Sequence, residues 1–308
     1  MNLRQLHVFA SVVKHMSVSL AAEELFITQP AVSQQIRGLE EQLGVKLFER
    51  TPNGLLLTEA GEAIHPHVQA ILASQSRIDN VVAEQRGATH GHVAVGANTT
   101  GGMYVVSPML RAFRDAHPEA EIVLQVHSTD RICERLLQNL LDVAVVTGPV
   151  EVGSVVVADL CEDELYLIVS PSHPFAVRAT VSRQEVAAEP FVVPEPGSRT
   201  RRLIQRAIES HGLKLQIAMQ LPGTEEVKKA VEANLGVAMV SKHAVTRELA
   251  LGALHRVTVH DLEIHRPIQS LHRRGRRLSP IARDFLAFAA KYAREDPVLG
   301  APSGRADA

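Results

Sequence analysis

The sequence is poor in cysteine, in excess positive charge and in long apolar runs. Cys133 and Cys161 are its two cysteines among 308 residues. Two thiols cannot build a disulfide framework, and no metal-ligand spacing surrounds them. They are expected to be buried free thiols of a protein kept in a reducing cytoplasm. No apolar run approaches the roughly 20 residues that a membrane helix needs. The opening stretch, MNLRQLHVF, lacks an apolar h-region and a small-residue cleavage site, which predicts a cytoplasmic chain with no membrane partner. Also absent are G-x-S-x-G, the Walker A pattern, H-E-x-x-H and G-x-G-x-x-G, so no catalytic residue, metal or cofactor is expected. Charge is balanced, with 32 basic and 34 acidic residues and a net charge of −2. Across residues 1–58 the bases Arg4, Lys14, Arg37, Lys46 and Arg50 are matched by Glu23, Glu24, Glu40, Glu41 and Glu49, and five minus five is zero. Any affinity of this region for a polyanion must come from arrangement rather than bulk charge.

What is present is an ordinary globular composition, 45% hydrophobic and 21% charged, long enough for two or three domains. Leu3, Leu6, Phe9, Ala10 and Val13 have helical spacing and predict one apolar stripe. Ser17 is a suitable N-cap for a short helix containing Leu20, Ala21, Glu24 and Leu25, and Thr28 for the next, with Pro30 in its first turn. At about 100° per residue, Val32, Ile36, Leu39 and Leu43 share one sector of that helix. Pro30, Gln34, Arg37 and Glu41 share the opposite one, with Ser33 at the flank. Two apolar runs around the turn RTPNG then predict a two-stranded wing in which Arg50 could meet phosphates or a minor groove. A pair of amphipathic helices with a solvated polar face fits the same pattern. The outward face of Pro, Ser, Gln and Arg also suits hydrogen bonding to base edges.

The stretch AAEELFITQPAVSQQIRGLEEQLGVKLFERT, followed by LLLTEAG, resembles the DNA-binding half of the LysR-type transcriptional regulators. The resemblance implies a winged helix-turn-helix over residues 1–58, with the recognition helix starting near Gln29. It also implies that Gln29, Pro30, Ser33, Gln34 and Arg37 face the groove or its phosphates. Asn53 stands at the wing tip, where such proteins usually carry a basic residue, so a strong minor-groove contact is not expected there.

Residues 59–87 predict one long helix. Ile64, Val68, Ile71, Gln75, Ile78 and Val82 are spaced 4, 3, 4, 3, 4, a heptad seam with one polar position. The stripe could dock within the chain or pair with the same helix of a second copy. In LysR-type proteins this segment is the dimerising linker helix, which implies a homodimer reading a pseudo-palindromic operator on double-stranded DNA. Two half-sites also multiply modest affinities. The family further implies a homotetramer and RNA polymerase as a partner.

Beyond residue 87 strands alternate with helices, which predicts parallel sheets with helical crossovers, in number enough for two α/β lobes. The stretch VVVADLCEDELYLIVSPSHP is read as two strands. Resemblance sharpens this to a periplasmic-binding-protein-like effector domain, with one lobe from residues 88–162 plus 267–295 and the other from 163–266. Residues 296–308 have the composition of a flexible tail. The overall class is therefore multidomain α+β and α/β. Ligands of such folds sit at strand C-termini and helix N-termini. Asn98, Thr99 and Thr100 in GANTTGG, Thr147 after DVAVVTG, Ser198, Arg199 and Thr200 in EPGSRTR, and Thr224 in PGTEEVKK occupy such places. Each alone also fits a plain helix cap; at matching family positions, together, they imply a cleft for a small anionic metabolite. EPGSRTR resembles the EPGSGTR of regulators of carbon fixation and of cysteine or sulfur metabolism. Arg199, in place of that glycine, could grip an anion or narrow the pocket.

The basic run LHRRGRR, residues 271–277, could touch DNA or form a solvated surface. His65 and His67 are two apart on a helix and share no face, so they are not a chelating pair. The expected function is ligand-responsive transcription regulation. An enzyme or solute receptor with an appended helix domain would need a catalytic constellation or an export signal. A constitutive DNA binder with a ligandless cleft would show no thermal stabilisation by any small anion. Arg37→Ala should weaken specific operator binding by about 1–3 kcal/mol, read by quantitative footprinting; an unchanged footprint refutes that role for Arg37.

Overall fold

Asn2 caps the first helix, α1 (Leu3–His15), accepting from the Gln5 backbone N–H while the Gln5 side chain accepts from the Asn2 N–H. The computed structural model of the protein describes residues 1–52, 54–85, 91–296 and 299, leaving aside the side chains of 76, 77 and 79–85. The wing-tip Asn53 and the Val82 side chain thus lie outside the described residues, as do residues 86–90 and most of the expected tail. The chain divides into two units, Met1–Ala88 with Gln138–Leu140, and Thr89–Leu137 with Leu141–Ala308.

In the first unit, α2 (Val18–Glu24) is capped by Ser17 and α3 (Gln29–Leu43) by Thr28, with Pro30 in the first turn of α3. Gly44 ends α3 in the left-handed conformation, φ 72°, a geometry that glycine adopts freely. Strands β1 (Phe48–Thr51) and β2 (Gly54–Leu57) pair antiparallel as the wing. The core joins Leu6, Val8, Phe9, Val12, Ala21, Val32, Ile36, Leu39 and Leu47. Three residues expected in it are exposed: Leu3 (45%), Leu20 (48%) and Leu43 (40%). Leu3 and Leu43 are the end residues of their helices, where a terminal turn has neighbours on one side only.

Helix α4 (Glu59–Gln85) spans 27 residues, about 40 Å. Gly61 lets it start against the wing, because a Cβ there would fall 2.3 Å from the Leu47 carbonyl oxygen. Val68 is buried in the helix-turn-helix core and Ile64 packs against it. The first part of the expected seam is therefore already covered within its own unit, whereas Ile71 and Ile78 are exposed at 39% and 65%.

Two acids of this unit are tied down by local partners. Glu40 is buried and accepts from Lys46 Nζ at 2.7 Å, from the Leu47 N–H at 2.9 Å and from the Phe48 N–H at 3.4 Å. Burial pushes its carboxyl upward, but the Lys46 bond and the two backbone donors outweigh that and hold it below its ordinary value. It thereby fixes the turn from α3 into the wing. Glu24 is held down to about 2, chiefly by Lys14 and Ser11 against the opposing effect of burial, with a further contribution from His15.

In the second unit, β3 (His92–Ala97) is followed by a π-helical turn (Gly101–Val106) that runs into α5 (Ser107–Ala116). Then come β4 (Glu121–Val126), α6 (Thr129–Leu137), β5 (Val143–Thr147) and β6 (Val155–Val169). After a 3-10 turn follow β7 (Thr180–Ser182), α7 (Arg183–Ala188), β8 (Pro190–Pro194), α8 (Arg199–Glu209) and β9 (Gln216–Leu221). Next are α9 (Thr224–Glu232), β10 (Ala238–Ser241), α10 (Lys242–Ala250), β11 (His255–His260), β12 (His265–Arg273) and α11 (Pro280–Glu295). The segment read as two strands is the single 15-residue β6. Its first part pairs with β12 through residues 155–164, and its last part with β10 and β11 through residues 165–169.

Two lobes result. In lobe I, β3 lies parallel to both β4 and β5, and β12 runs antiparallel to β5 and β6. In lobe II, β8 and β9 are parallel, Phe191 bridges to Val237 beside β10, and β10 and β11 flank β6 antiparallel. The sheets are thus mixed, not purely parallel, because β6 and β12 pass between the lobes and meet the local strands head to tail. Helix α11 returns to the lobe I core, where Phe285 meets Phe113 edge-on at 5.2 Å. Three arginines of the basic run are tied to neighbouring segments. Arg273 donates to the Leu137 carbonyl, Arg274 to Gly153, and Arg276 to the Leu141 carbonyl and the Asp142 carboxylate.

The turn between α2 and α3 carries a strained residue. Phe26 has φ 52° and is 95% exposed, so packing does not offset the left-handed conformation of a bulky side chain. Phe26→Asn should raise unfolding stability by about 0.5–1 kcal/mol. Chemical denaturation tests this, and an unchanged or lower midpoint refutes it.

Candidate functional site

In the helix-turn-helix unit, Gln29, Pro30, Ser33, Gln34, Arg37 and Arg50 line one open hollow together with Val18, Ser19, Gly38 and Glu41. The Thr28 cap and the buried Val32, Ile36 and Leu39 turn these side chains outward. Gln29, Pro30, Gln34 and Arg37 are exposed and Ser33 half-buried. One finding alters the charge pattern read from sequence: Glu40 is internal and leaves the outer face altogether. Glu41, in the outward sector with Arg37, lines the hollow with Arg37 and Arg50, leaving two cations against one acid. Gln75, the polar position of α4, faces back onto its own unit, where its Oε1 lies 3.1 Å from His7 Nε2.

In the second unit, a cavity of about 480 Å3 is lined by Asn98, Thr99, Thr100, Thr147, Ser198, Arg199, Thr200 and Thr224. These come from segments up to 126 residues apart in the chain (224 minus 98). Ser128, Thr129, Asp130 and Glu195 also line it and were missed in the sequence. Their signal was present, since STD follows a strand and opens a helix, as at the other sites. The start of the π-helical turn and those of α6, α8 and α9 all reach this cavity through Thr100, Thr129, Arg199 and Thr224. Helix starts present unsatisfied N–H groups and a positive dipole end. Ser198 is a true cap, accepting from the Arg201 N–H at 3.4 Å. Neither the π-helical turn nor α9 has a side-chain cap.

Asn98 and Thr147 hold each other. Asn98 Nδ2 donates to the Thr147 hydroxyl at 2.6 Å, and Asn98 Oδ1 accepts from the Thr147 N–H at 3.1 Å. The Thr147 hydroxyl proton is thereby left to point elsewhere. Gly101 makes the arrangement fit, because a Cβ there would stand 2.5 Å from Asn98 Oδ1. Three contacts cross from lobe I to lobe II around the cavity. The Thr100 and Thr224 hydroxyls are 3.5 Å apart, the Tyr104 hydroxyl donates to Glu225, and Arg199 donates to Asp130 and to the Pro149 carbonyl.

Behind the cavity lies a buried polar cluster where β6 and β12 change lobes. Asp163 is fully buried and Arg266 nearly so. Arg266 Nε donates to Asp163 at 2.8 Å and Nη1 to the Thr200 hydroxyl at 2.7 Å. Ser241 donates to Asp163 at 2.7 Å. His243 Nε2 lies 3.7 Å from Asp163, and burial pushes its imidazole below the ordinary range. The two thiols are raised by burial, Cys161 to about 11, so neither is an activated nucleophile. Among the described residues no cluster of His, Cys, Asp or Glu is arranged to hold a metal ion, and no helix is long and apolar enough to cross a membrane.

A winged helix-turn-helix joined to a two-lobed α/β module with a cavity between its lobes defines a class: DNA-binding regulators that carry a ligand-binding domain. Residues 3–62 match the bacterial regulatory helix-turn-helix protein, lysR family, and residues 86–294 match the LysR substrate binding domain. The chain belongs to the LysR family of transcriptional regulators. It is 33% identical to the RuBisCO operon transcriptional regulator of Allochromatium vinosum, over 93% of this chain and 95% of that one. Its fold is that of full-length CbnR complexed with target DNA, with a TM-score of 0.74 at 22% identity over 95% of this chain and 100% of that one. The regulatory domain of Synechocystis PCC6803 CcmR in complex with 2-PG aligns with a TM-score of 0.63 at 24% identity, over 67% of this chain and 99% of that one.

Proposed function

We propose that this regulator holds a pseudo-palindromic operator with paired copies of α3, and that a small anionic metabolite in the lobe I–lobe II cavity modulates that hold. The observation that carries the effector reading is the convergence of four helix starts and the hydroxyls of Thr99, Thr100, Thr147, Ser198, Thr200 and Thr224 on one cavity. Uncapped N–H groups and neutral hydroxyls match a carboxylate or phosphoryl group. The 2-PG in the CcmR complex is consistent with that chemistry. On the DNA side, Gln29, Pro30, Ser33, Gln34 and Arg37 are read as the groove-facing set, with Arg50 and Asn53 on the wing toward the backbone. Their near-neutral charge favours hydrogen bonding over a basic patch, and useful affinity then depends on pairing.

The pairing surface is read as the outer part of α4. Ile71 and Ile78 are seven residues apart on it and exposed, as a two-helix seam requires before it is covered. Ile64, Val68, Gln75 and Val82 complete the heptad pattern, with Ile64 and Val68 shared with the unit's own core. Residues 1–58 serve as the DNA-binding domain and 59–87 as the linker. Residues 88–162 with 267–295 and residues 163–266 serve as the two lobes. Ligand-dependent closure of the lobes changes how dimers sit in a tetramer, driven by the ligand's differential affinity for two lobe arrangements. A cytoplasmic location and contact with RNA polymerase complete the reading, supported by the class of the chain.

Thr100→Val tests the cavity. Among the described residues its hydroxyl makes no hydrogen bond apart from the 3.5 Å approach to Thr224, so the fold loses little. Affinity for an anion found by thermal-shift screening of metabolites should fall about tenfold, or roughly 1.4 kcal/mol. Undiminished affinity refutes the role. Ile71→Asp should dissociate the subunits, and an intact dimer in sedimentation at low concentration refutes the seam.

A further inference from the structure

The cavity lining contains one cation, and that cation is already engaged. Arg199 begins α8 in lobe II. Its Nη1 donates to the Pro149 carbonyl at 2.7 Å and its Nη2 to Asp130 at 2.5 Å, both in lobe I, while Nε is buried without a partner. The guanidinium therefore spans the mouth between the lobes. The Asp130 side chain is 65% exposed and that of Arg199 31%. An ion pair this open to water contributes little, so a better-placed anion can displace Asp130 with little loss. Apart from Arg199 the lining offers neutral hydroxyls, backbone N–H groups and the acids Asp130 and Glu195. A ligand with one anionic group can be seated by the helix starts while the Arg199–Asp130 bond stays closed. A second anionic group would meet only neutral donors or acids, unless it takes the guanidinium.

We propose that Arg199 is the specificity-determining residue of the cleft: a latch closed on Asp130 that transfers to a ligand's second anionic group. The site then selects small molecules bearing two anionic groups over those bearing one. Asp130 is the internal competitor that sets the size of this preference. The exchange moves no proton, since arginine stays charged throughout, and forms a charge-assisted, fork-shaped contact in place of an exposed pair. The Pro149 carbonyl, Tyr104–Glu225 and Thr100–Thr224 contacts do not involve Asp130, so the exchange does not require them to break. Arg199 is thus neither simply a grip nor simply a filler of the pocket. It is a cross-lobe tie whose partner can be replaced. This inference rests on the effector reading proposed above.

Isothermal titration calorimetry of the full-length protein with phosphoglycolate and with glycolate, which differ only in the phosphoryl group, tests it. The wild type should bind phosphoglycolate about tenfold or more tightly over glycolate, the ratio expected of one good charge-assisted contact. Arg199→Gly should bring the two probes within about threefold by weakening phosphoglycolate and sparing glycolate. Arg199→Lys should restore part of the difference. Asp130→Asn, which removes the competitor and leaves α8 intact, should strengthen phosphoglycolate several-fold with little change for glycolate. It keeps the proposal testable even if Arg199→Gly unfolds. An unchanged ratio in Arg199→Gly, or no gain in Asp130→Asn, overturns the proposal and leaves the cleft an anion site. Equal weakening of both probes makes Arg199 a general closure residue and also overturns it. If neither probe binds the wild type, the effector reading fails and the latch fails with it.

Discussion

The two-lobed module depends on the buried pair of Asp163 and Arg266. Strands β6 and β12 belong to both lobes, and this pair lies where they cross. Removing two charges from water costs several kcal/mol per ion, offset only by good geometry and further hydrogen bonds. Here Asp163 receives Arg266 Nε and Ser241, Arg266 Nη1 reaches on to the hydroxyl of Thr200, and Nη2 meets Asp163 as an ion pair at 2.8 Å. One end of the network fixes the strand crossing, and the other end is a wall of the cavity. A change at the cavity wall is thereby in direct hydrogen-bonded contact with the hinge. That is a physical route for coupling through a connected element rather than through proximity.

The DNA-binding unit solves a different electrostatic problem. With five bases and five acids it cannot rely on counterion release from a basic patch. The fold assigns the charges unequally. Glu40 is drawn inside to hold the turn into the wing, and the exposed Lys46 reaches in to bond it. Glu24 is bound by Lys14, His15 and Ser11 at the junction of the first two helices. Both carboxylates are stabilised in the ionised form by local partners, so neither stands as an unpaired charge. What remains around the hollow is small: Arg37 and Arg50 against Glu41, among neutral donors and acceptors. A surface of this kind favours geometry over bulk attraction, and it gives the exposed apolar positions of α4 their significance. The effector module shows the same economy of charge: the cavity's one lining cation is neutralised across the cleft by Asp130, so its attraction for anions comes mainly from backbone dipoles at helix starts.

Much of this was legible from local chemistry. The caps Ser17 and Thr28, Pro30 in the first turn and the apolar spacing of Val32, Ile36 and Leu39 determine the helix pair, because each is a short-range property of a few neighbouring residues. The Ser and Thr residues that open helices after strands marked three separate segments of one cavity, with Thr147 at a strand end as a fourth, and the same rule would have found Ser128 to Asp130. The family itself was readable, since the stretches 21–51 and 55–61 carried the pattern.

Tertiary structure decided the rest, because the deciding contacts join residues far apart in the chain. No spacing rule shows that Glu40 is buried under Leu47 and Phe48, or that Val68 turns inward while Ile78, ten residues on, stays exposed. A run of alternating and apolar residues looks like two strands, and only the separate partners β12, β10 and β11 reveal one strand serving two lobes. The arginines of LHRRGRR look like a free basic patch until the carbonyls of Leu137, Leu141 and Gly153 are brought to them. Arg199 could be read as a grip or a plug until Asp130 and Pro149 faced it from the opposite lobe. The sequence by itself determined which elements form and what each helix start can bind. Which charges remain available was decided by the fold, because a charge is free or spent according to neighbours that only long-range packing supplies.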